Sequence, residues 1–98
     1  MKLLKIEKSS RLNKRFVAIF EKDNGKLKKV HFGLKNPKNG TFIDTGDKDL
    51  RKNYRARHER DLRTKDPLRA GYLAYEILWG NSKSLKENIK SYKKRFNL

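Results

Sequence analysis

Apolar and polar positions change rhythm along the chain, from a two-residue alternation in the first third to a three-to-four-residue recurrence in the last half. The stretch "RFVAIFEKDNGKLKKVHFG" (15–33) places two β-rich runs on either side of Asn24-Gly25. That dipeptide predicts a two-residue type I′ hairpin, because both central residues must take positive φ. The turn then sets a register in which paired residues sum to 49. Val17 faces Phe32, Ile19 faces Val30 and Glu21 faces Lys28, which makes one apolar face. The other face carries Phe16, Ala18 and Phe20 opposite Gly33, His31 and Lys29. The run "KLLKIEK" (2–8), with Leu4 and Ile6 two apart, predicts a third antiparallel strand joined through "SSRLN". Strands are thus expected over about 2–8, 14–22 and 26–33.

"LKNPKNGTFIDTG" (34–46) reads as a loop with a short strand at Thr41 to Ile43. Beyond it the period becomes helical. Leu50, Tyr54, His58 and Leu62 form one stripe of a helix over about 47–64, with Asp47 and Asp49 in its first turn. "DPLRAGYLAYEILWG" offers Asp66 as N-cap, Pro67 at the first helical position and Gly80 as the stop, giving a central helix over about 67–79. Ser84-x-x-Glu87 is a capping box for a last helix over about 84–96, with Leu85, Ile89, Tyr92 and Phe96 on one face. The fold class expected is α+β: an N-terminal antiparallel hairpin or three-stranded sheet followed by three helices, all in one domain.

Composition sharpens this picture. With 35% apolar residues and ten patterned aromatics, 98 residues can build a real core despite 39% charged residues. A net charge of +16, from 27 Lys and Arg against 11 Asp and Glu, calls for a polyanionic partner. Nucleic acid, anionic lipid and an acidic protein surface all satisfy that demand. The chain has no cysteine, so a disulfide framework and a thiolate zinc site are excluded. The N-terminal segment lacks the uninterrupted apolar core of a signal peptide, and no stretch is apolar enough to span a membrane; a soluble protein made in the cytosol is expected.

Signatures of catalysis are nearly missing: no phosphate-binding glycine loop, no cysteine nucleophile, no Gly-x-Ser-x-Gly elbow. His31 and His58 read as structural histidines. Asp44, Asp47 and Asp49 could gather around a cation, but acids at a helix N-terminus explain them as well. No catalytic residue, metal or cofactor is therefore assigned. A phosphate-handling enzyme using His58 with these aspartates is the least favoured reading.

The segment "RKNYRARHERDLR" (51–63) holds six basic residues and two acids. Asp47 with Arg51, Arg55 with Glu59, Arg57 with Asp61 and Glu59 with Arg63 are each four apart, a spacing that stabilises a helix by about 0.2–0.5 kcal/mol per pair. Ion pairing accounts for part of the segment and leaves a cationic excess. Arg51, Lys52, Arg55, Arg57, Arg60 and Arg63, with Lys86, Lys90, Lys93, Lys94 and Arg95 of the last helix, are the candidate contacts to a polyanion or acidic partner. His31, His58 and Trp79 are candidates for either a contact or a structural role. No base-reading motif is present, so nucleic-acid contact would be to the backbone and sensitive to salt. Phe16, Phe20, Lys29 and His31 could form a base-stacking sheet face; cover by a strand or helix is the favoured alternative.

The ordered strings "VHFG", "DKDLRKNYRARH", "AGYLAYEILW" and "SLKENIKSYKKRF" resemble a family of small basic proteins encoded by nucleocytoplasmic large DNA viruses, the giant viruses. The likeness covers roughly residues 29–98. Its pattern is matched at His31, Phe32, Gly33, Asp49, Arg51, Tyr54, Arg57, His58, Gly71, Ile77, Leu78, Trp79, Leu85, Ile89, Tyr92, Arg95 and Phe96. The chain lacks the second tryptophan before Asp66-Pro67 and the further histidine near Asp49 that such proteins tend to carry, so no site using those groups is carried over. The resemblance implies a viral setting rather than an activity, with Arg57, His58 and Arg95 as the suspected contacts.

Taken together, these readings lead to the expectation of a non-enzymatic basic virion structural protein, a minor capsid or inner-shell component. It would dock on acidic protein, lipid or DNA surfaces, with viral coat or other virion proteins as partners. It would be made in the host cytoplasm, at the virus factory, and end in the particle. The alternative is a sequence-nonspecific protein binding the DNA or RNA backbone for packaging, replication or transcription.

Overall fold

A computed structural model describes residues 1–98 and shows an α+β fold. Strands β1 (Lys2–Lys8), β2 (Lys14–Glu21) and β3 (Leu27–Leu34) form an antiparallel sheet in the order β1-β2-β3. Four helices follow: α1 (Phe42–Thr45), α2 (Lys48–His58), α3 (Ala70–Leu73) and α4 (Leu85–Phe96). A 3-10 segment, Glu59–Thr64, extends α2, and a π-helical segment, Ala74–Leu78, extends α3.

The hairpin register differs by one residue from the sequence expectation. Phe16 pairs with Phe32, Val17 with His31 and Ala18 with Val30, so partners sum to 48. The turn has three residues: the Gly25 amide donates to the Lys22 carbonyl at 2.9 Å and the Lys22 amide to the Lys26 carbonyl at 2.8 Å. Gly25 is left-handed (φ 83°) while Asn24 is not. This is a type I turn closed by a glycine bulge, and Asn24 supports it by accepting from the Lys26 amide at 3.0 Å. Because side chains alternate, a one-residue slip exchanges the two faces. Ala18, Phe20 and Phe32 are fully buried against the helices, and Phe16 and Val30 pack beside them. Val17 and Ile19 lie on the opposite face, where their cross-strand neighbours are Glu7, Lys5, His31 and Lys29. Both are nevertheless buried there. The proposed stacking face of Phe16 and Phe20 with Lys29 and His31 is thereby divided between the two sides of the sheet.

The third strand forms as expected, with an irregularity between Leu3 and Lys5. It lets Leu3 and Ile6, three apart, face the core, so Leu3 is buried and Leu4 is exposed. Residues Thr41 to Ile43 are not a strand: Thr41 precedes the short helix α1, which Gly46 ends in a left-handed conformation.

In the helical half, Asp47 is the N-cap of α2, accepting from the Asp49 amide at 2.9 Å and the Leu50 amide at 3.1 Å. Regular α2 stops at His58 and tightens into the 3-10 segment, which Lys65 ends with φ 54°. Asp66 does not cap a helix beginning at Pro67. It accepts from the Leu68 amide at 3.0 Å and holds a turn, and α3 begins only at Ala70. Of the anticipated capping box, Ser84 accepts from the Glu87 amide at 3.3 Å, while Glu87 turns to the Ser82 hydroxyl at 3.1 Å. The core between sheet and helices is built from Leu3, Ala18, Phe20, Phe32, Phe42, Leu73, Ile77, Leu78, Trp79 and Tyr92, with Ala74. No helix is long and apolar enough to cross a membrane.

Candidate functional site

The main concavity is a cleft of about 610 Å³ between the 34–41 loop, α2 with its 3-10 extension, and α3. Buried Ala74, Leu78 and Trp79 form its floor with Leu50 and Gly71. The π-helical segment supplies this floor: the Trp79 amide reaches five residues back to the Ala74 carbonyl at 3.2 Å. Such wide turns often accompany functional sites.

One wall is an aromatic ladder. The Tyr54 ring stacks on His58 at 4.1 Å on one side and on Trp79 at 4.3 Å on the other. The four-residue spacing of Tyr54 and His58 on α2 brings the first pair together. Burial, ahead of the Asp61 charge, pushes the Tyr54 hydroxyl up to about 12. Asp61 lies 3.3 Å from His58 Nδ1 and is the one carboxylate of the cleft. Lys14, Lys38, Arg57 and Arg60 stand around the opening. None of these four cations is among the ion pairs of the chain.

The structure separates the sequence-derived candidates into two groups. Arg51 and Arg55 are joined to the end of the central helical segment. Arg51 Nε donates to the Gly80 carbonyl at 2.7 Å and its Nη2 to Asn81 Oδ1 at 2.7 Å, while Arg55 Nη1 donates to the Trp79 carbonyl at 2.9 Å. Arg51 also lies over Phe42 and Arg55 over Tyr75. Arg63 pairs with Glu59 at 3.1 Å, the one four-apart ion pair of those anticipated that forms. Arg95 pairs with Glu76 at 3.2 Å and lies over Phe96. His31 Nδ1 meets the Ser9 hydroxyl at 2.7 Å, and desolvation, then the charges of Arg11, Lys29 and Lys14, lowers its pKa. Trp79 is core, in the stack and the cleft floor.

The second group is exposed and unpaired. It comprises Arg57 and Arg60 beside the cleft, Lys52 on α2 outside the cleft lining, and Lys86, Lys90, Lys93 and Lys94 on the outer face of α4. Only the first of these clusters adjoins a cavity, and the two lie on separate elements. Sequence reading missed the contribution of Lys14, Lys38 and Asn53 to the cleft, because β2, the 34–41 loop and α2 meet only in three dimensions. The "NPKNG" loop carried the one local signal.

The aspartates Asp44, Asp47 and Asp49 do not converge on one point. Asp44 takes two hydrogen bonds from Arg15, at 2.8 and 2.6 Å, while Asp47 caps α2. The Arg15 guanidinium, opposed by partial burial and reinforced by Thr41, holds the Asp44 carboxyl well below the usual carboxylate range.

The model of a family of unknown function, DUF5754, matches residues 4–58. The chain belongs to this family. The part shared with DUF5754 takes in the sheet from Leu4 onward, the 34–41 loop and α2, and so includes Lys14, Lys38, Leu50, Arg57 and His58, while Arg60, Asp61 and the floor residues Gly71, Ala74, Leu78 and Trp79 lie beyond it. No curated protein and no solved structure matches the chain.

Proposed function

We propose that this protein is a non-enzymatic, basic structural component of a large DNA virus particle, a minor capsid or inner-shell protein that docks on acidic surfaces. The observation that carries the docking is the state of its cations. Lys5 is the one lysine with an ion-pair partner, Glu7. Acids are drawn to arginines, caps and turns, so the positive charge of the lysines is left uncompensated on the surface. Lys86, Lys90, Lys93 and Lys94 follow one exposed side of α4, while its other side, with Asn88 and Tyr92, is buried. A convex charged ridge of this kind suits contact with an extended acidic partner. The resemblance to giant-virus proteins supplies the setting, in the particle and its assembly site in the host cytoplasm. Proteomics of purified particles tests it: the protein is expected in stoichiometric amount, and its consistent absence from intact particles would sink the reading.

A second reading, sequence-nonspecific binding of a nucleic-acid backbone, is favoured by the same ridge, because its lysines are free to meet successive phosphates. Affinity for a DNA duplex should then fall with salt with a log-log slope of about −0.9 per phosphate contacted. Charge reversal at Lys86, Lys90 and Lys94 should flatten that slope. Arg51 and Arg55 are unsuitable for this test, since reversing them would strike the fold.

A further inference from the structure

The cleft asks for a ligand different from an extended polyanion. Its size falls in the range that encloses small molecules, and its floor is apolar at Ala74, Leu78 and Trp79, beside Gly71, which lies against the Asp61 carboxylate. Free phosphate would leave that floor uncovered, and a purely apolar ligand would leave the cations unused. Four unpaired cations stand around the opening against one carboxylate, Asp61, already beside His58. Asn53 and Asn39 add carboxamides, which offer a donor and an acceptor side by side, as the edge of a nucleobase does. A ligand with a flat, partly apolar body, a hydrogen-bonding edge and concentrated negative charge satisfies all three features at once.

We propose that this cleft binds a nucleoside phosphate, its base against Ala74, Leu78 and Trp79 and its phosphate at Arg57, Arg60 and Lys38. The site is independent of the α4 ridge: it is concave, lies on other elements, and selects a single nucleotide by shape as well as charge. The Tyr54–Trp79 stack in its wall places a reporter there, because Trp79 is the sole tryptophan of the chain.

The experiment titrates adenosine 5′-monophosphate into the intact protein at about 0.15 M salt, where long-range attraction is screened. Trp79 fluorescence and amide chemical shifts are followed. Saturable binding is expected, at least about tenfold tighter than for adenosine or inorganic phosphate, with shifts centred on residues 53–61 and 70–79. Arg57→Glu with Arg60→Glu should weaken it at least about tenfold, while Lys90→Glu with Lys94→Glu should change it by less than about twofold. Circular dichroism should show all variants folded, since all four positions are exposed. Binding no tighter than that of phosphate, equal weakening by both double variants, or displacement by an acidic peptide at lower concentration would each overturn the proposal. Duplex-DNA binding is measured on the same variants, so loss of ridge docking and loss of the nucleotide site are read separately.

Discussion

Arg51 and Gly80, 29 positions apart, are joined by a 2.7 Å hydrogen bond from the guanidinium Nε to the backbone carbonyl. The bond belongs to a set. Arg55 takes the Trp79 carbonyl, and Asn88 of α4 donates to the Ile77 carbonyl at 2.9 Å. The last carbonyls of a helix have no partners within it. Here side chains from the helices before and after satisfy two of them, at Ile77 and Trp79, and Arg51 takes the Gly80 carbonyl just beyond the helix end, which ties α2, α3 and α4 together. The arginine-rich stretch of α2 is therefore partly a clamp, with cations placed at the negative end of the helix dipole.

Replacing Arg51 should expose this role. Arg51→Ala is expected to lower the unfolding free energy by about 2 kcal/mol, because a part-buried carbonyl loses a charged donor. Arg51→Lys should recover little, since one ammonium cannot serve Gly80 and Asn81 in the geometry of the planar fork. Arg57→Ala and Arg60→Ala, with free side chains, should stay within about 0.5 kcal/mol. Urea denaturation of the four variants checks the contrast; equal losses at Arg51 and Arg57 would refute the clamp.

This division of the arginines shows where sequence was readable. The periodicity of Leu50, Tyr54 and His58 located α2 and its half-buried stripe, and Ser84 was legible as a cap because capping is local, whereas Asp47, expected in the first turn, proves to be the N-cap itself. Three strands and the last helix were legible for the same reason. The hairpin register was not: Asn-Gly suits a two-residue turn, but a three-residue turn with Gly25 left-handed uses the same letters, and it puts Phe16, Ala18 and Phe20 against the helices. The partners of Arg51 and Arg55 were also hidden. Four-residue spacing offered them acids on their own helix, yet carbonyls brought up by the chain reversal at residues 79–82 compete better, because those groups have no alternative donor.

Asn88 is a second test of the same junction. It is buried, donates to the Ile77 and Ser82 carbonyls at 2.9 and 2.7 Å, and accepts from the Ser82 amide at 3.0 Å. Gly80 makes room for it: a β-carbon there would stand 2.7 Å from Asn88 Cγ and would collide with the Glu76 carbonyl oxygen. Asn88→Leu is expected to cost about 3 kcal/mol by stranding buried backbone groups, and Gly80→Ala a similar amount by overpacking. The double variant should lose less than the sum, because both changes break one arrangement. Thermal melts of the three variants measure this; strict additivity would separate the two residues.

Acid stability should depend on Asp44. Its carboxyl ordinarily titrates near 3.8 and is held lower in the fold, first by Arg15. A carboxylate depressed on folding contributes stability that is fully present above its unfolded pKa and is lost as pH falls through its folded pKa. Asp44→Asn should thus lower the melting temperature at neutral pH, and the gap to the wild type should close in strong acid. Melting curves across the acid range test it. A gap independent of pH would assign the effect to packing.

At the alkaline end the sign reverses. Tyr54 is raised to about 12 and Tyr92 is raised as well, both first by burial, from an ordinary 10.0. Each keeps its proton in the fold at a pH where the unfolded chain has lost it. Their contribution is complete below the unfolded value and drains away as pH climbs through the folded one. Alkali changes the charge of the whole chain as well, so the wild-type curve alone does not isolate the phenols. The difference from Tyr54→Phe isolates the contribution of Tyr54. The wild type should lose its advantage over that variant progressively between about pH 10 and pH 12. Tyr92→Phe behaves differently at neutral pH, where loss of its hydrogen bond to the Pro67 carbonyl should cost about 1 kcal/mol. Ultraviolet titration of the phenols gives the independent reading: Tyr54 and Tyr92 are expected to ionise only as the chain unfolds, and their ionisation in the folded chain near pH 10 would remove the basis of this pH dependence.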